Sequence, residues 1–244
     1  MWDAECELKR ALVRLCGTAC VDAARAIRKT TQCTIVDVLL KQVKPGDVIV
    51  SFNWDTLVER LAMRFGLKLV HGPDRPGKKI GFAKPHGSLA WRIGTIRPNQ
   101  LNGRPLLDPL PEFSIVPKIT DMEPLLLGAV PMKSELIFEV QQCYAPHVFE
   151  IIISQWRAVV EAVCEADTIV VLGYSFPKED EYGRFFFKEG MRQRSKRLKR
   201  IEYYNVNRES ACAIREVFGE DPKIVWKGPV TPARRRSRRR RTGV

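Results

Sequence analysis

The sequence contains no run of about 18 apolar residues, which is the length that a membrane-spanning helix requires. Residues 1–5 also lack the basic and apolar regions of a secretory signal peptide. The chain has 244 residues, of which 45% are hydrophobic and 28% charged, so it can bury one large core or two modest ones. The two absences predict a cytoplasmic protein that does not associate with a membrane.

No Cys-x-x-Cys pair occurs in the sequence, although it contains seven cysteines. They are Cys6, Cys16, Cys20, Cys33, Cys143, Cys164 and Cys212. Structural zinc sites typically contain Cys-x-x-Cys pairs, and disulfide frameworks require an even number of cysteines. Neither pattern is present. We therefore expect free thiols in a reducing compartment, and no metal site.

Positive charge exceeds negative charge, and about half of the excess lies near the end of the sequence. The formal net charge is +13, and seven of these charges are arginines between Arg234 and Arg241, which leaves +6 for the remainder. Like charges repel each other and cannot form a core, so residues 231–244 are predicted to be a disordered tail. This tail either binds nucleic acid phosphates or another polyanion, or it is simply solvated. A second basic run, residues 192–200, is either a solvated helix end or a nucleic-acid patch.

Short apolar segments alternate with amphipathic segments along most of the chain. The apolar segments predict strands at residues 47–52, 67–70, 80–84, 168–172, 201–204 and 223–226. Helical periodicity predicts helices at residues 5–29, 34–42 and 56–65, and three more after residues 147, 177 and 207. The alternation predicts a single α/β domain over residues 1–230, with a parallel sheet and helices on both faces. Residues 92–146, which contain eight prolines, are predicted to be an irregular insertion that covers the site.

Polar residues follow two of the predicted strands. Asn53 and Asp55 lie in the turn between the strand at residues 47–52 and the next helix, and His86 follows the strand at residues 80–84. Ligands bind at the carboxyl ends of parallel strands, and a right-handed crossover brings both segments to the same sheet edge. The alternative is structural: Asp55 caps the helix, Asn53 closes the turn, and His86 is a core histidine.

Two further turns carry small or polar residues. Gly173, Tyr174 and Ser175 follow the strand at residues 168–172, where a glycine and a hydroxyl suit a phosphate or a ribose. Asn205 ends the next strand, and Asn207 is a plausible cap for the helix that follows.

Four motifs, taken together and in this order, resemble the bacterial SIR2-like domain, a sirtuin-related family found in antiphage defence proteins. They are Ser51-Phe52-Asn53-Trp54-Asp55, Lys84-Pro85-His86-Gly87-Ser88, Val171-Leu172-Gly173-Tyr174-Ser175-Phe176-Pro177 and Tyr204-Asn205. The resemblance covers residues 45–226. It implies a Rossmann-like fold that binds NAD as a substrate.

The same resemblance implies roles for individual residues. Asn53 and His86 would be the catalytic pair, and Asp55 would contact the nicotinamide carboxamide. The turn of Gly173, Tyr174 and Ser175 would line the phosphate and ribose site, and Asn205 would lie near the adenosine. The residue types suit the cleavage of a bond between nicotinamide and ribose, because a neutral amide can orient water and an imidazole can accept a proton. Besides NAD, the implied partners are a homo-oligomer or a component of a defence system.

The sequence departs from this family in two respects. The four-cysteine zinc module of deacetylating sirtuins is missing, which favours a defence-type NAD hydrolase over a deacetylase. Such domains also begin with a strand and a glycine-rich loop that binds the pyrophosphate. Residues 16–19, Cys-Gly-Thr-Ala, do not match this loop. This departure predicts a truncated form in which the centre of the sheet is incomplete.

Three hypotheses follow for the function. The first is an NAD hydrolase that releases nicotinamide and ADP-ribose. The second is a SIR2-like pseudoenzyme that binds nucleotide weakly or only contacts partners. The third is a nucleic-acid-binding protein that uses the arginine tail.

Overall fold

The computed structural model describes residues 35–71, 79–92, 124–126 and 146–229. The helix predicted at residues 5–29, the segment of residues 16–19, most of the insertion and Arg234 to Arg241 lie outside the described residues. The described part of the chain is a mixture of helices and parallel strands, which confirms the α/β class. None of its helices is both long enough and apolar enough to cross a lipid bilayer.

The elements follow one another closely along the described segments. The helices are α1 (Ile35–Leu40), α2 (Leu57–Arg64), α3 (Pro146–Glu165), α4 (Glu181–Arg192) and α5 (Ser210–Phe218). The strands are β1 (Val48–Val50), β2 (Leu69–His71), β3 (Ile80–Ala83), β4 (Gly87–Arg92), β5 (Pro124–Leu126), β6 (Thr168–Leu172), β7 (Arg200–Tyr204) and β8 (Lys223–Trp226). Apart from β4 and β5, each corresponds to a segment that the apolar pattern predicts.

The first sheet has the order β1-β3-β2, and all of its strands run parallel. Val50 of β1 is paired with Ala83 of β3, so the two strands end side by side. The central strand β3 is buried along its whole length, whereas β1 and β2 are half-buried. The predicted adjacency of the strands that precede Asn53 and His86 is therefore confirmed.

The second sheet has the order β6-β7-β8 and is also parallel. Its strands pair in register from Thr168 with Arg200 to Leu172 with Tyr204. The alternation of strand, helix and strand over residues 168–226 favours this arrangement, because a parallel pair requires a crossover connection.

The described strands form two parallel sheets and a separate antiparallel pair, where the sequence pattern predicts one parallel sheet. The antiparallel pair joins β4 to β5. Gly87 has a φ of 84°, a left-handed conformation that glycine adopts without steric cost, and it lies in the turn where the chain leaves β3 for β4. Residues 92–146 show no regular hydrophobic periodicity, so the sequence pattern does not predict β5.

One hydrophobic core contains residues from both parallel sheets. Ala83 of β3 and Val171 of β6 belong to it, and half-buried Val50 and Ile169 pack against it. The helices α3 and α4 supply much of the remainder, including Trp156. The core therefore holds together segments that are far apart in the sequence.

Gly190 lies where α4 packs tightly against α3. A Cβ atom at this position would lie 2.7 Å from Val163 Cβ and 2.9 Å from the carbonyl oxygen of Val160. We expect Gly190→Ala to lower the free energy of unfolding by about 1–3 kcal/mol, because the helices must separate to admit the methyl group. Urea denaturation measures the change. The control is Lys188→Ala on the exposed side of the same helix, which should change stability by less than about 0.5 kcal/mol. Equal stability of the two variants would contradict this packing.

Candidate active site

The loops that follow β1, β3 and β6 meet through aromatic side chains. Phe52, which follows β1, stacks on Tyr174, which follows β6, with ring centroids 4.3 Å apart and planes 5° from parallel. The Phe52 ring also meets the His86 ring edge-on, at 5.0 Å between centroids. Three of the four sequence motifs are thus in direct contact at the carboxyl ends of strands.

His86 lies in a turn between β3 and β4 and is only 8% exposed. Trp156 of α3 forms a second aromatic wall, with ring centroids 5.9 Å apart. The indole Nε1 of Trp54 donates a hydrogen bond to the carbonyl oxygen of His86, at 2.9 Å. The loop after β1 therefore holds the backbone of His86 while the aromatic rings hold its side chain.

Asp180 is the charged group that faces His86. Its side chain is buried, and Asp180 Oδ2 lies 3.3 Å from His86 Nε2. This distance permits an ion pair. Nε2 is buried and makes no hydrogen bond to the part of the chain that the structure describes. Asp180 also caps α4, and its Oδ1 accepts a hydrogen bond from the backbone N–H of Gly183 at 2.9 Å.

Tyr174 donates a hydrogen bond from its hydroxyl to the same Oδ2 of Asp180. Burial, followed by the contact with Asp180, raises the pKa of Tyr174 well above its ordinary value. Burial alone would raise the pKa of Asp180, but the contacts with His86, Tyr174 and the Gly183 N–H outweigh it and lower the net pKa. At neutral pH the pair is therefore a neutral phenol and an ionised carboxylate.

Asn53 and Asp55 lie in the loop between β1 and α2. The Asn53 residue is exposed, next to Phe52 whose ring contacts His86. Asp55 is half-buried, and its Oδ1 accepts a hydrogen bond from the backbone N–H of Leu57 at 2.8 Å, where α2 begins. This oxygen of Asp55 therefore accepts a hydrogen bond at the start of α2, which agrees with the structural alternative for Asp55. The contact of Asp55 with a nicotinamide carboxamide stays a prediction.

A buried ion pair between Lys84 and Glu59 packs against this loop. Lys84 is fully buried, its Nζ lies 3.1 Å from Glu59 Oε1 of α2, and it also donates to the carbonyl oxygen of Asp55. The backbone N–H of Lys84 donates to Gln155 Oε1 of α3 at 3.0 Å. Lys84 thereby ties the carboxyl end of β3 to the β1–α2 loop and to a core helix.

The turn after β6 carries Gly173 and Ser175 on its exposed side. Gly173 has a φ of 71°, and a Cβ built on it would have no neighbouring atom within 4 Å. Its backbone N–H donates to the carbonyl oxygen of Tyr204 at 2.9 Å, so the ends of β6 and β7 lie side by side.

Asn205 follows β7 and is half-buried. Its Oδ1 accepts from the backbone N–H of Asn207 at 3.0 Å, and its carbonyl oxygen accepts from Trp226 Nε1 at 3.1 Å. The Asn207 side chain accepts from Glu209 N–H at 2.8 Å, just before α5 begins. The described contacts of Asn205 thus shape the turn into α5, next to the Gly173 turn.

Sequence reasoning overlooked Asp180, Lys84 and Glu59 as parts of the site. The only local signal for Asp180 is its position three residues before Gly183, at the start of an amphipathic helix, and that pattern indicates a helix cap. Lys84 and Glu59 lie on different elements, so no spacing in the sequence relates them.

The basic run of residues 192–200 makes mostly structural contacts. Arg194 donates to the carbonyl oxygens of Val163 and Ala166 at the end of α3. Other members of the run pair with nearby groups: Arg192 with Glu189, Arg197 with the Asp221 carbonyl, Lys199 with Asp167 and Arg200 with Glu202. These contacts favour the helix-end interpretation over a nucleic-acid patch.

No model of a known protein family matches the chain, and no curated protein matches it significantly.

Proposed function

We propose that the chain is a SIR2-like protein with a Rossmann-type NAD site, and that it hydrolyses NAD to nicotinamide and ADP-ribose in antiphage defence. The proposal rests on the motif resemblance and on one structural observation. The Phe52 ring contacts both the His86 ring and the Tyr174 ring. These residues belong to three different motifs, and Phe52 and Tyr174 are 122 residues apart in the sequence. Motifs that only stabilised separate elements would have no reason to converge at the carboxyl ends of strands.

The residues supply the groups that the hydrolysis requires. The N-glycosidic bond breaks, its electron pair leaves with nicotinamide, and the oxygen of a water molecule bonds to the ribose carbon. A base must take the proton of that water, and His86 is the imidazole available for this role. Asn53, exposed in the neighbouring loop, would orient the ribose or the water without adding charge. Asp180 beside His86 would stabilise the imidazolium that forms.

The open space above Gly173 supports a phosphate or ribose site at this turn. We expect Gly173→Val to weaken NAD binding at least tenfold, because the side chain fills the space where the ligand approaches the backbone. Isothermal calorimetry measures the affinity. Valine is also strained at a φ of 71°, so Gly219→Val is the matched control: Gly219 has a φ of 79° and open surroundings, but it ends α5. If both variants bound NAD as the unaltered protein does, the turn would be structural only.

The direct test of the proposal is incubation of the purified full chain with NAD. We expect release of nicotinamide in proportion to the protein concentration, measured by chromatography. Binding of NAD by calorimetry without nicotinamide release would overturn the hydrolase assignment and identify a pseudoenzyme. The absence of both binding and release would overturn the NAD assignment altogether.

A further inference from the structure

We propose that Asp180 is a positioning residue that fixes the tautomer of His86, with the proton on Nε2 and the lone pair on Nδ1. Its consequence for catalysis rests on the proposed function, since it makes Nδ1 the atom of His86 that accepts the proton. The tautomer itself is a property of the protein and does not depend on NAD.

The argument begins with the two atoms that face each other. Asp180 Oδ2 and His86 Nε2 are 3.3 Å apart, and an ionised carboxylate can only accept hydrogen bonds. An unprotonated Nε2 would place two lone pairs against each other in a buried site. A neutral imidazole carries one N–H, so a proton on Nε2 leaves Nδ1 as the acceptor.

The carboxylate cannot turn away from the ring. Its Oδ1 accepts from the Gly183 N–H at 2.9 Å, and its Oδ2 accepts from the Tyr174 hydroxyl. Asp180 is 1% exposed, and Gly183 leaves no room for movement: a Cβ there would lie 2.7 Å from Asp180 Oδ2. Asp180 is therefore fixed at the start of α4, and it in turn fixes the orientation of the imidazole ring.

The contact is also incomplete in a way that suits a working base. Nε2 is a buried polar atom without a hydrogen bond to any described residue, which is unfavourable for an N–H donor. Hydrogen bonds of catalytic groups are commonly long without substrate and tighten when it binds.

The variant Asp180→Asn tests the tautomer because its orientation can be deduced. The Gly183 N–H needs an acceptor, so the amide oxygen must take the position of Oδ1. The amide NH₂ then replaces Oδ2 and faces His86 Nε2. Nε2 can accept a hydrogen bond from this NH₂ only if it carries a lone pair and no proton. We therefore expect the proton of neutral His86 to move from Nε2 to Nδ1. The chain has three histidines, so ¹⁵N imidazole spectra can be assigned to His86 with His71→Gln and His147→Gln.

The matched control is Tyr174→Phe, which removes the other donor to Oδ2 and keeps the carboxylate. We expect this variant to retain the Nε2–H tautomer. For Asp180→Asn we expect kcat for nicotinamide release to fall by about 10² to 10⁴, by analogy with the same change in a Ser-His-Asp triad, while KM changes only a few-fold.

The outcomes separate the inference from the proposed function. An Nδ1–H tautomer in the unaltered protein would overturn the inference, and this measurement needs no variant to fold. An Asp180→Asn protein with the original tautomer and normal kcat would overturn it as well. If the unaltered protein released no nicotinamide but showed the expected tautomers, the proposed function would fail and the role of Asp180 would stand.

Discussion

Nicotinamide release should fall by about 10² to 10⁴ when His86 is replaced by glutamine, because the site then lacks the base that accepts the proton from water. Asn53→Ala should cause a loss of similar size, since the water or ribose loses its orienting amide. The measurement is the initial rate of nicotinamide release at saturating NAD.

The choice of substitution follows from burial. His86 is 8% exposed and packs against Phe52 and Trp156, so alanine would leave a cavity. Glutamine keeps most of the volume and a polar atom near Asp180. Asn53 is exposed, so alanine there should change the free energy of unfolding by less than about 0.5 kcal/mol.

A control variant and circular dichroism spectra separate lost chemistry from lost structure. Lys196→Ala serves as the control, because Lys196 is exposed in the loop before β7, at the opposite ends of the strands. Normal rates in either folded active-site variant would remove that residue from the catalytic pair.

Lys84→Met should cost about 3–5 kcal/mol of stability, because it leaves the buried carboxylate of Glu59 without its cation. Glu59 Oε2 already has no hydrogen bond among the described residues, so the second oxygen cannot compensate. Urea denaturation gives the change. The paired variant Lys84→Met with Glu59→Leu should recover most of the loss, because replacing a whole buried ion pair with apolar groups is often nearly neutral.

The loss should depend on pH. Burial raises the pKa of Glu59 above 4.5, and the charge of Lys84 partly opposes this rise. Without Lys84 the folded-state pKa rises further, so the folded variant binds a proton that the unfolded chain releases. Its stability is therefore highest below pH 4.5 and falls as the pH rises through the folded-state pKa. A deficit that is constant between pH 4 and pH 8 would show that Glu59 does not carry the effect.

Local patterns predicted most of the described elements. The β-branched run of β1 and the apolar stripe of α2 are fixed by neighbours in the sequence, so each was predicted to within two residues. The crossover rule allowed the strands before Asn53 and His86 to end at the same sheet edge, and β1 does pair with β3 in parallel.

Contacts between distant segments were not predictable in this way. Nothing near Asp180 indicates that it faces His86, because a helix-capping aspartate has the same local pattern whether or not a histidine lies beside it. The sequence places Lys84 at the end of a predicted strand and gives no sign that its side chain is fully buried against Glu59. The pairing of β4 with β5 spans a proline-rich segment without periodicity, and the division into two parallel sheets depends on packing.

The strands of each parallel sheet come from one continuous stretch of the chain, residues 48–83 for the first sheet and 168–226 for the second, and this arrangement bears on the order of folding. The strands and helices of the second sheet occupy the contiguous residues 146–229, whereas Phe52 and His86 join it across a long intervening segment. Contacts between segments that are far apart in the sequence form late, because closing a long loop lowers the entropy of the chain before the contacts can stabilise it. The two sheets are therefore expected to form first, and the contact of His86 with Asp180 among the last. A nascent or partly folded chain would then contain every residue of the candidate site and still be unable to consume NAD.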